Sequence, residues 1–373
     1  MKLTISKSEL QQGLTRIQSV VEKRNTMPIL ANVLLDASNK KRKSLTLAAT
    51  DLEVGIRGSH PAEVETVGKA TVSAKKFYEI VRELPDEPIS LEVTENAYMQ
   101  IHCGRAKFTL AGNTPEEYPT LPDFTSGKTT PVQALLLSEM IERTIYAASA
   151  DETRYNLNGV YFEQIADSEK ARMVATDGHR LAIIDRTLGN KVSGLEPGVI
   201  IPRKGLVELK RLLDEEEDDE VELGFEGNSG LVRKGDVTLV MRLIEGEFPK
   251  YQQVIPRETV IHLTVEVEAF SRALRRVVLL SAERSRAVKF ELSDGLLRLS
   301  SNNPDLGDAQ EDLDVDYAGE ALTVAFNARY LIDALNSIKA KEVRLSFRDA
   351  TSPAQLTPTN DDDALAVVMP MRV

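Results

Sequence analysis

The chain has one cysteine, Cys103, and four histidines among its 373 residues. A single thiol cannot close an intramolecular disulfide, so a reducing cytoplasm is the expected home. His60, His102, His179 and His262 are spread along the chain, and neither HExxH nor CxxC spacing is found, so a metal centre built on histidine or cysteine is not expected. Also missing are a GxxxxGK[ST] loop for nucleotide phosphates and a nucleophile elbow. No cofactor is expected. No apolar run is long enough to span a bilayer, and the opening MKLTISKSELQQG lacks the apolar centre of a signal peptide. Positive charge is in deficit, with 46 Lys and Arg against 58 Asp and Glu, a net charge of −12. Taken over the whole chain, that balance argues against nucleic acid, because non-specific affinity comes from cations on phosphates. Net charge does not describe local faces, however, so the placement of the cations decides.

What the chain has in abundance is internal repetition. LAATDLEV carries Thr50 and Asp51, MVATDGHR carries Thr176 and Asp177, and LSSNNPDL carries Asn302 and Asn303, each 126 residues after the last. Other elements keep the same step. Leu10, Leu14 and Ile17, then Ile141, Ile145 and Ala148, then Phe270, Leu274 and Val277 each mark one apolar face of a helix near the start of a third. KKFYEIVREL, RKGLVELKRLL and ARYLIDALNSI supply a second helix, with stripes Phe77, Ile80, Leu84; Leu206, Leu209, Leu213; and Leu331, Leu335, Ile338. The strand-like runs ISLEV, VELGF and VRLSF follow. Alternating stretches such as SLTLAATDLEVGIRG suit antiparallel sheets with one wet face. The expected fold class is α+β: three tandem copies of one helix-plus-antiparallel-sheet domain, spanning 1–126, 127–256 and 257–373.

The central VATDGHRLA invites a catalytic reading, since Asp177 and His179 are two apart on a probable strand and share a face. The matching positions in the other copies are Glu53 and Asp305, and no nucleophile stands nearby, so an enzyme is not expected; the plainer reading is a turn at Asp177 and Gly178 with His179 beside it. The acidic run Asp214 to Glu220 reads as a solvated loop rather than a cation site, which would need spaced ligands and a turn glycine. Basic residues recur in the helical segments of all three copies, including Lys75, Arg203 and Lys204, while acids crowd into loops and strands. A shared basic surface on an acidic protein is the expectation, with solvated helix faces as the alternative for any one residue.

VATDGHRLA, IPRKGLVEL, GEFPKY, the terminal VVMPMRV and NTMPILANVLL closely resemble the bacterial sliding clamp family, the beta subunits of replicative DNA polymerase, over essentially the whole chain and in family order. The resemblance implies a head-to-tail homodimeric ring that encircles double-stranded DNA without sequence preference. In such a ring the helices line the hole in pseudo-sixfold array, and DNA polymerase, clamp loader and other proteins carrying a clamp-binding motif are held in a peptide pocket. Positions matching that pocket are Leu157, Thr176, Gly178, His179, Arg180, Leu181, Pro249, Val254, Asn327, Tyr330, Val367, Val368, Met369, Pro370 and Met371. Arg24, Arg154 and Tyr155 match positions that touch the duplex, and Lys75, Arg203 and Lys204 join them from the basic helices. Phe108 and Leu110 on one side, Leu279 and Leu280 on the other, match the dimer contact. Gln253, Ser285, Pro353 and Asn156 depart from residues common in the family. Size agrees: a domain of about 125 residues is a sphere of radius roughly 18 Å. Three such spheres in a ring leave a hole of about 3 Å radius and six leave about 18 Å, on the same scaling, whereas B-DNA is on the order of 20 Å across. A monomeric scaffold that binds proteins without DNA is the other reading that the repeats allow.

Overall fold

The computed structural model describes residues 1–21, 27–39, 43–94, 96–122, 128–151, 153–166, 168–215, 220–283 and 285–372. Arg24, the expected boundary near residue 126 and the middle of the acidic run lie outside the described residues. Two compact units are present. One comprises Met1–Ala134, Val192–Gly194 and Lys204–Leu243; the other comprises Leu135–Lys191, Leu195–Arg203 and Ile244–Val373. Six α-helices are described: α1 (Lys7–Ile17), α2 (Ala74–Glu83), α3 (Ala134–Glu142), α4 (Arg203–Asp214), α5 (Val267–Val277) and α6 (Ala328–Ser337). Three of them start at polar caps: Ser6 Oγ accepts from Glu9 N, Ser73 Oγ from Lys76 N and Asn327 Oδ1 from Arg329 N. In each case a backbone donor at the helix start gains the partner that the helix itself lacks.

Among the described residues, every pairing between named strands is antiparallel; the one parallel contact is an isolated bridge between Ser193 and Gly224. The first unit holds a five-stranded sheet whose last strand is Ala106–Leu110, and a nine-stranded sheet. The second unit holds an eight-stranded sheet and a four-stranded sheet that begins at Gly307–Asp314. The two large sheets join different repeats. Val54–Pro61 of the first repeat pairs with Val237–Arg242 of the second, in register Val54 to Met241 and Gly55 to Val240. Arg180–Thr187 of the second repeat pairs with Ala364–Val368 of the third, in register Arg180 to Val368 and Leu181 to Val367. The second repeat is thereby shared between the two units, which sequence periodicity did not reveal.

The helical stripes bury as expected in five helices, with local shifts. Phe77, Val81 and Leu84 are buried in and after α2, so the stripe runs through Val81 rather than Ile80. Leu206, Leu209 and Leu213 of α4 are buried, as are Leu331 and Leu335 of α6. The exception is the first helix of the second repeat. It ends at Glu142, so Ile145 and Ala148 are not on it. Thr144 Oγ1 donates to Met140 O at 2.7 Å, and Thr144 sits at φ −124°, ψ −40°, outside the helical basin. A β-branched hydroxyl bonding back in this way competes with helix continuation, and the chain tightens into a 3₁₀ turn over Ile145–Ala147. In the third repeat, Phe270, Phe290, Phe326 and Phe347 form a run of ring contacts with centroids 5.3–6.1 Å apart.

Within the second unit an ion cluster ties the second repeat to the third. Arg186 donates to Glu139 Oε2 at 3.0 Å and to Asp361 Oδ2 at 2.6 Å. Arg143, itself buried, lies 3.3 Å from Glu139 and 3.7 Å from Asp361. Removing one member of a buried set is costly because it strands the others. Asp361→Ala should therefore cost about 3–5 kcal/mol and lower the thermal unfolding midpoint, read by calorimetry. The Arg186 hydrogen bond holds Glu139 below its ordinary pKa of 4.5. Its stabilisation is present above that value and is lost as pH falls through the depressed one, so acid unfolding of Glu139→Gln should begin from a lower baseline and show a shallower slope.

Candidate functional site

The turn at Thr176–Arg180 is built by its own polar side chains. Asp177 Oδ1 accepts from His179 N at 2.9 Å and Arg180 N at 3.1 Å, and Thr176 Oγ1 accepts from Gly178 N at 3.0 Å. Thr176 Oγ1 also donates to Arg180 O at 2.6 Å. Gly178 stands at φ +89°, a conformation that favours glycine, and the end of the flexible Arg154 side chain lies 2.9 Å from where a Cβ would be. The other oxygen of Asp177 takes Arg180 Nε at 3.0 Å. With both oxygens engaged in turn-making, Asp177 does not orient the His179 ring. That ring instead stacks on Tyr330, with centroids 6.2 Å apart and planes 13° from parallel.

Arg180 is the most committed side chain of the motif. It donates to Asp333 Oδ2 at 2.6 Å, and its guanidinium lies 4.7 Å from the Tyr330 ring centroid and 5.6 Å from that of Tyr146. Its side chain is 11% exposed, which places it beneath the site as a brace rather than on a polar rim. Beside it, Leu181 and Val367 form an apolar cluster with Val174, Ile183 and Tyr251. Tyr251 OH is held by Arg172 at 3.2 Å and by Glu163 at 2.5 Å, and burial pushes its pKa up to about 12.

The chain terminus closes on the turn. Met369 N donates to His179 O at 2.9 Å, continuing the ladder in which Arg180 faces Val368. Met369 and Val254 line one cleft of about 620 Å³ together with Gln253, Pro256, Arg348 and Pro353. Val254 is 39% exposed, and Leu157, Thr176, Val367 and Val368 are buried. Asn327 caps α6, which carries Tyr330 toward His179. Pro370 and Met371 turn away from these residues: Met371 N donates to Ala325 O at 2.7 Å, and both line a separate cleft with Lys289 and Thr351. Pro249 is exposed, its carbonyl taken by Tyr251 N at 2.7 Å. Tyr146 and Asp333, which brace the site, carried no motif, whereas Tyr251 closes the GEFPKY stretch without having been singled out. Asp333 reaches the site across repeats through Arg180, while Tyr146 and Tyr251 act within the second repeat on partners distant in sequence; the spacing of Arg329 and Asp333 on one helix was the local signal for Asp333.

The other expected surfaces are differently disposed. Lys75 and Arg203 are exposed, and Tyr155 is 60% exposed. The Lys204 ammonium is tied to Asp51, a carboxylate only 1% exposed, and the Arg154 guanidinium lies over Gly178. Many helix cations are engaged by acids: Arg16 by Glu215, Lys210 by Asp214, Arg276 by Glu311 and Lys339 by Glu142. Phe108 is 41% exposed and Leu110 half-buried on the edge strand Ala106–Leu110, while Leu279 is 73% exposed and Leu280 half-buried in the turn after α5.

Comparison with known proteins agrees with this architecture throughout. Residues 1–122, 132–250 and 252–372 match the N-terminal, central and C-terminal domains of the DNA polymerase III beta subunit. The chain is 37% identical over 377 residues to the beta sliding clamp of Caulobacter vibrioides and 33% identical over 378 residues to that of Escherichia coli, covering 100% of both partners each time. Among solved structures, the DNA polymerase III subunit beta of Pseudomonas aeruginosa is similar at TM-score 0.93 and 34% identity, with full coverage of both chains. A sliding clamp from Bartonella birtlesii bound to griselimycin is similar at TM-score 0.93 and 39% identity, again with full coverage. Three clamp-domain matches and full-length relatives that are sliding clamps agree with this fold, and this chain is a member of the beta sliding clamp family, the beta subunits of DNA polymerase III, which are processivity factors rather than enzymes.

Proposed function

We propose that two copies of this chain close head to tail into a ring around duplex DNA, and that the cleft at His179 and Met369 holds peptides from DNA polymerase, the clamp loader and other replication and repair proteins. The observation that carries the ring is a pairing left incomplete. In the first two repeats, the strand after the Thr–Asp turn pairs with the last strand of the next repeat, Val54–Pro61 with Val237–Arg242 and Arg180–Thr187 with Ala364–Val368. Among the described residues, the third repeat's counterpart, Gly307–Asp314, ends its sheet without a second partner strand, and so does Ala106–Leu110, the last long strand of the first repeat. Open edges are ready templates for pairing with another chain, and joining the one to the other across two chains repeats the same design. Charges suit the join: Arg105 and Lys107 border one edge, and Asp308, Glu311, Asp312 and Asp314 the other. Phe108, Leu110, Leu279 and Leu280 supply its apolar part. Each chain contributes three domains, 1–126, 127–256 and 257–373, and works in the cytoplasm.

Acid-paired helix cations suit a protein that must slide, since each phosphate firmly neutralised adds salt-dependent affinity. Arg24, Lys75, Arg154, Tyr155, Arg203 and Lys204 are the proposed duplex contacts. Of these, Lys204 would have to leave Asp51 to reach phosphate.

Three outcomes test this reading. Leu279→Asp should convert the dimer to monomer at micromolar concentration by sedimentation, because the contact would bury an unpaired charge; Leu279 is already exposed, so the monomer stays folded, and an unchanged dimer mass overturns the assignment. Lys75→Ala with Arg203→Ala should weaken binding to linear duplex equally for all sequences and flatten the salt slope by about 0.9 per lost phosphate contact. Deleting Met369–Val373 should abolish binding of a synthetic extended peptide carrying Leu and Phe while the dimer persists. In the same titration His179→Ala should weaken it about three- to tenfold, the worth of one aromatic contact.

A further inference from the structure

The turn that frames the peptide pocket has a twin in the first unit, matched bond for bond. Asp51 Oδ1 accepts from Glu53 N at 2.9 Å and Val54 N at 2.7 Å, Thr50 Oγ1 accepts from Leu52 N at 3.0 Å, and Thr50 Oγ1 donates to Val54 O at 2.9 Å. These are the bonds of Thr176 and Asp177 moved by one repeat. The next strand also behaves alike: Arg242 N donates to Glu53 O at 2.7 Å, as Met369 N does to His179 O. Beside this turn lies a cleft of about 310 Å³.

The difference lies in what stands against the wall. Where the second repeat has Leu181, the first has Gly55, and the absent side chain is replaced from elsewhere in the same chain. Leu121 lies so close to Gly55 that a Cβ there would be 2.3 Å from Leu121 Cδ2. The segment that brings it is anchored three residues earlier: Tyr118 OH accepts from Thr50 N and donates to Asn32 O, both at 3.2 Å. Leu52, the counterpart of Gly178, adopts φ +77° although it is a leucine, and it is 49% exposed. A side chain held in the left-handed region and left in water points to a turn whose shape serves recognition rather than packing.

We infer that the cleft at Thr50–Gly55 is a second peptide groove of the same design, and that its resident ligand is this chain's own segment Tyr118–Pro122, with Leu121 as the apolar anchor that keeps it closed. Its chemical class of ligand is an extended peptide with a leucine anchor, the class proposed for the His179 pocket, and the inference rests on that reading. Each chain then offers one open groove and one closed from within. Leu121→Ala removes the anchor, so that Pro119–Pro122 can leave the groove while Tyr118 still fastens the start of the segment to Thr50 and Asn32.

The test is the stoichiometry of the same synthetic Leu- and Phe-bearing peptide, by calorimetric titration of the full chain. Wild type should bind one peptide per chain and Leu121→Ala two. Adding the Met369–Val373 deletion to Leu121→Ala should leave one, at the new groove. A wild type that binds none overturns the pocket reading itself. A wild type that binds one while Leu121→Ala, with unchanged dimer mass and melting, also binds one overturns the second groove alone. Gly55→Ala checks the plug without emptying it: the added methyl must expel Leu121, so the Leu121 methyl resonances should move to their unstructured positions, and resonances that stay in place overturn the plug.

Discussion

Pairing of strands between successive repeats is the constraint on which the rest of this structure depends. Val54–Pro61 against Val237–Arg242, and Arg180–Thr187 against Ala364–Val368, merge what would be separate sheets into two large ones. A backbone ladder fixes register residue by residue, because a slip by one position would turn every buried side chain to the wrong face. It therefore places the Thr–Asp turn of one repeat beside the last strand of the next with little freedom. The ion cluster of Glu139, Arg143, Arg186 and Asp361 adds side-chain links across the same join.

The surroundings of the Thr176–Arg180 turn, where the peptide pocket is proposed, follow from that ladder. Leu181 and Val367 face each other because Arg180–Thr187 and Ala364–Val368 pair, and Met369 continues past the ladder to bond His179. Arg180 then braces the corner from below, sandwiched by Tyr146 and Tyr330 and paired with Asp177 and Asp333. The polar residues of the motif are mostly spent on shape, and the surface left over is apolar with an adaptable methionine, a composition suited to varied peptide anchors. The open edges at Ala106–Leu110 and Gly307–Asp314 are the same ladder left unfinished within one chain, which is why the repeat itself argues for a second copy.

Much of this was legible in the residues. The step between Thr50, Thr176 and Asn302 announced three copies, and the helical stripes placed five of six helices. The sixth failed locally, since the hydroxyl of Thr144 bonds Met140 O and no periodicity reports such a bond. The resemblance carried by VATDGHRLA and VVMPMRV proposed a set of pocket residues, yet it did not separate Arg180, whose side chain is largely enclosed, from His179, an exposed ring. It also did not show that Lys204 is held by Asp51, or that Pro370 and Met371 line a different cleft from Met369.

The sequence by itself determined the repeat, the fold class, the family and the turn chemistry, because each rests on residues close together in the chain: an aspartate that bonds amides two and three residues on, and a glycine at positive φ. Only the tertiary structure decided which repeat shares a sheet with which, which cations are held by acids and which side chain packs against Gly55. Those outcomes depend on partners far apart in sequence, Arg180 with Asp333 or Gly55 with Leu121, whose meeting is set by the register of strands and leaves no periodic trace.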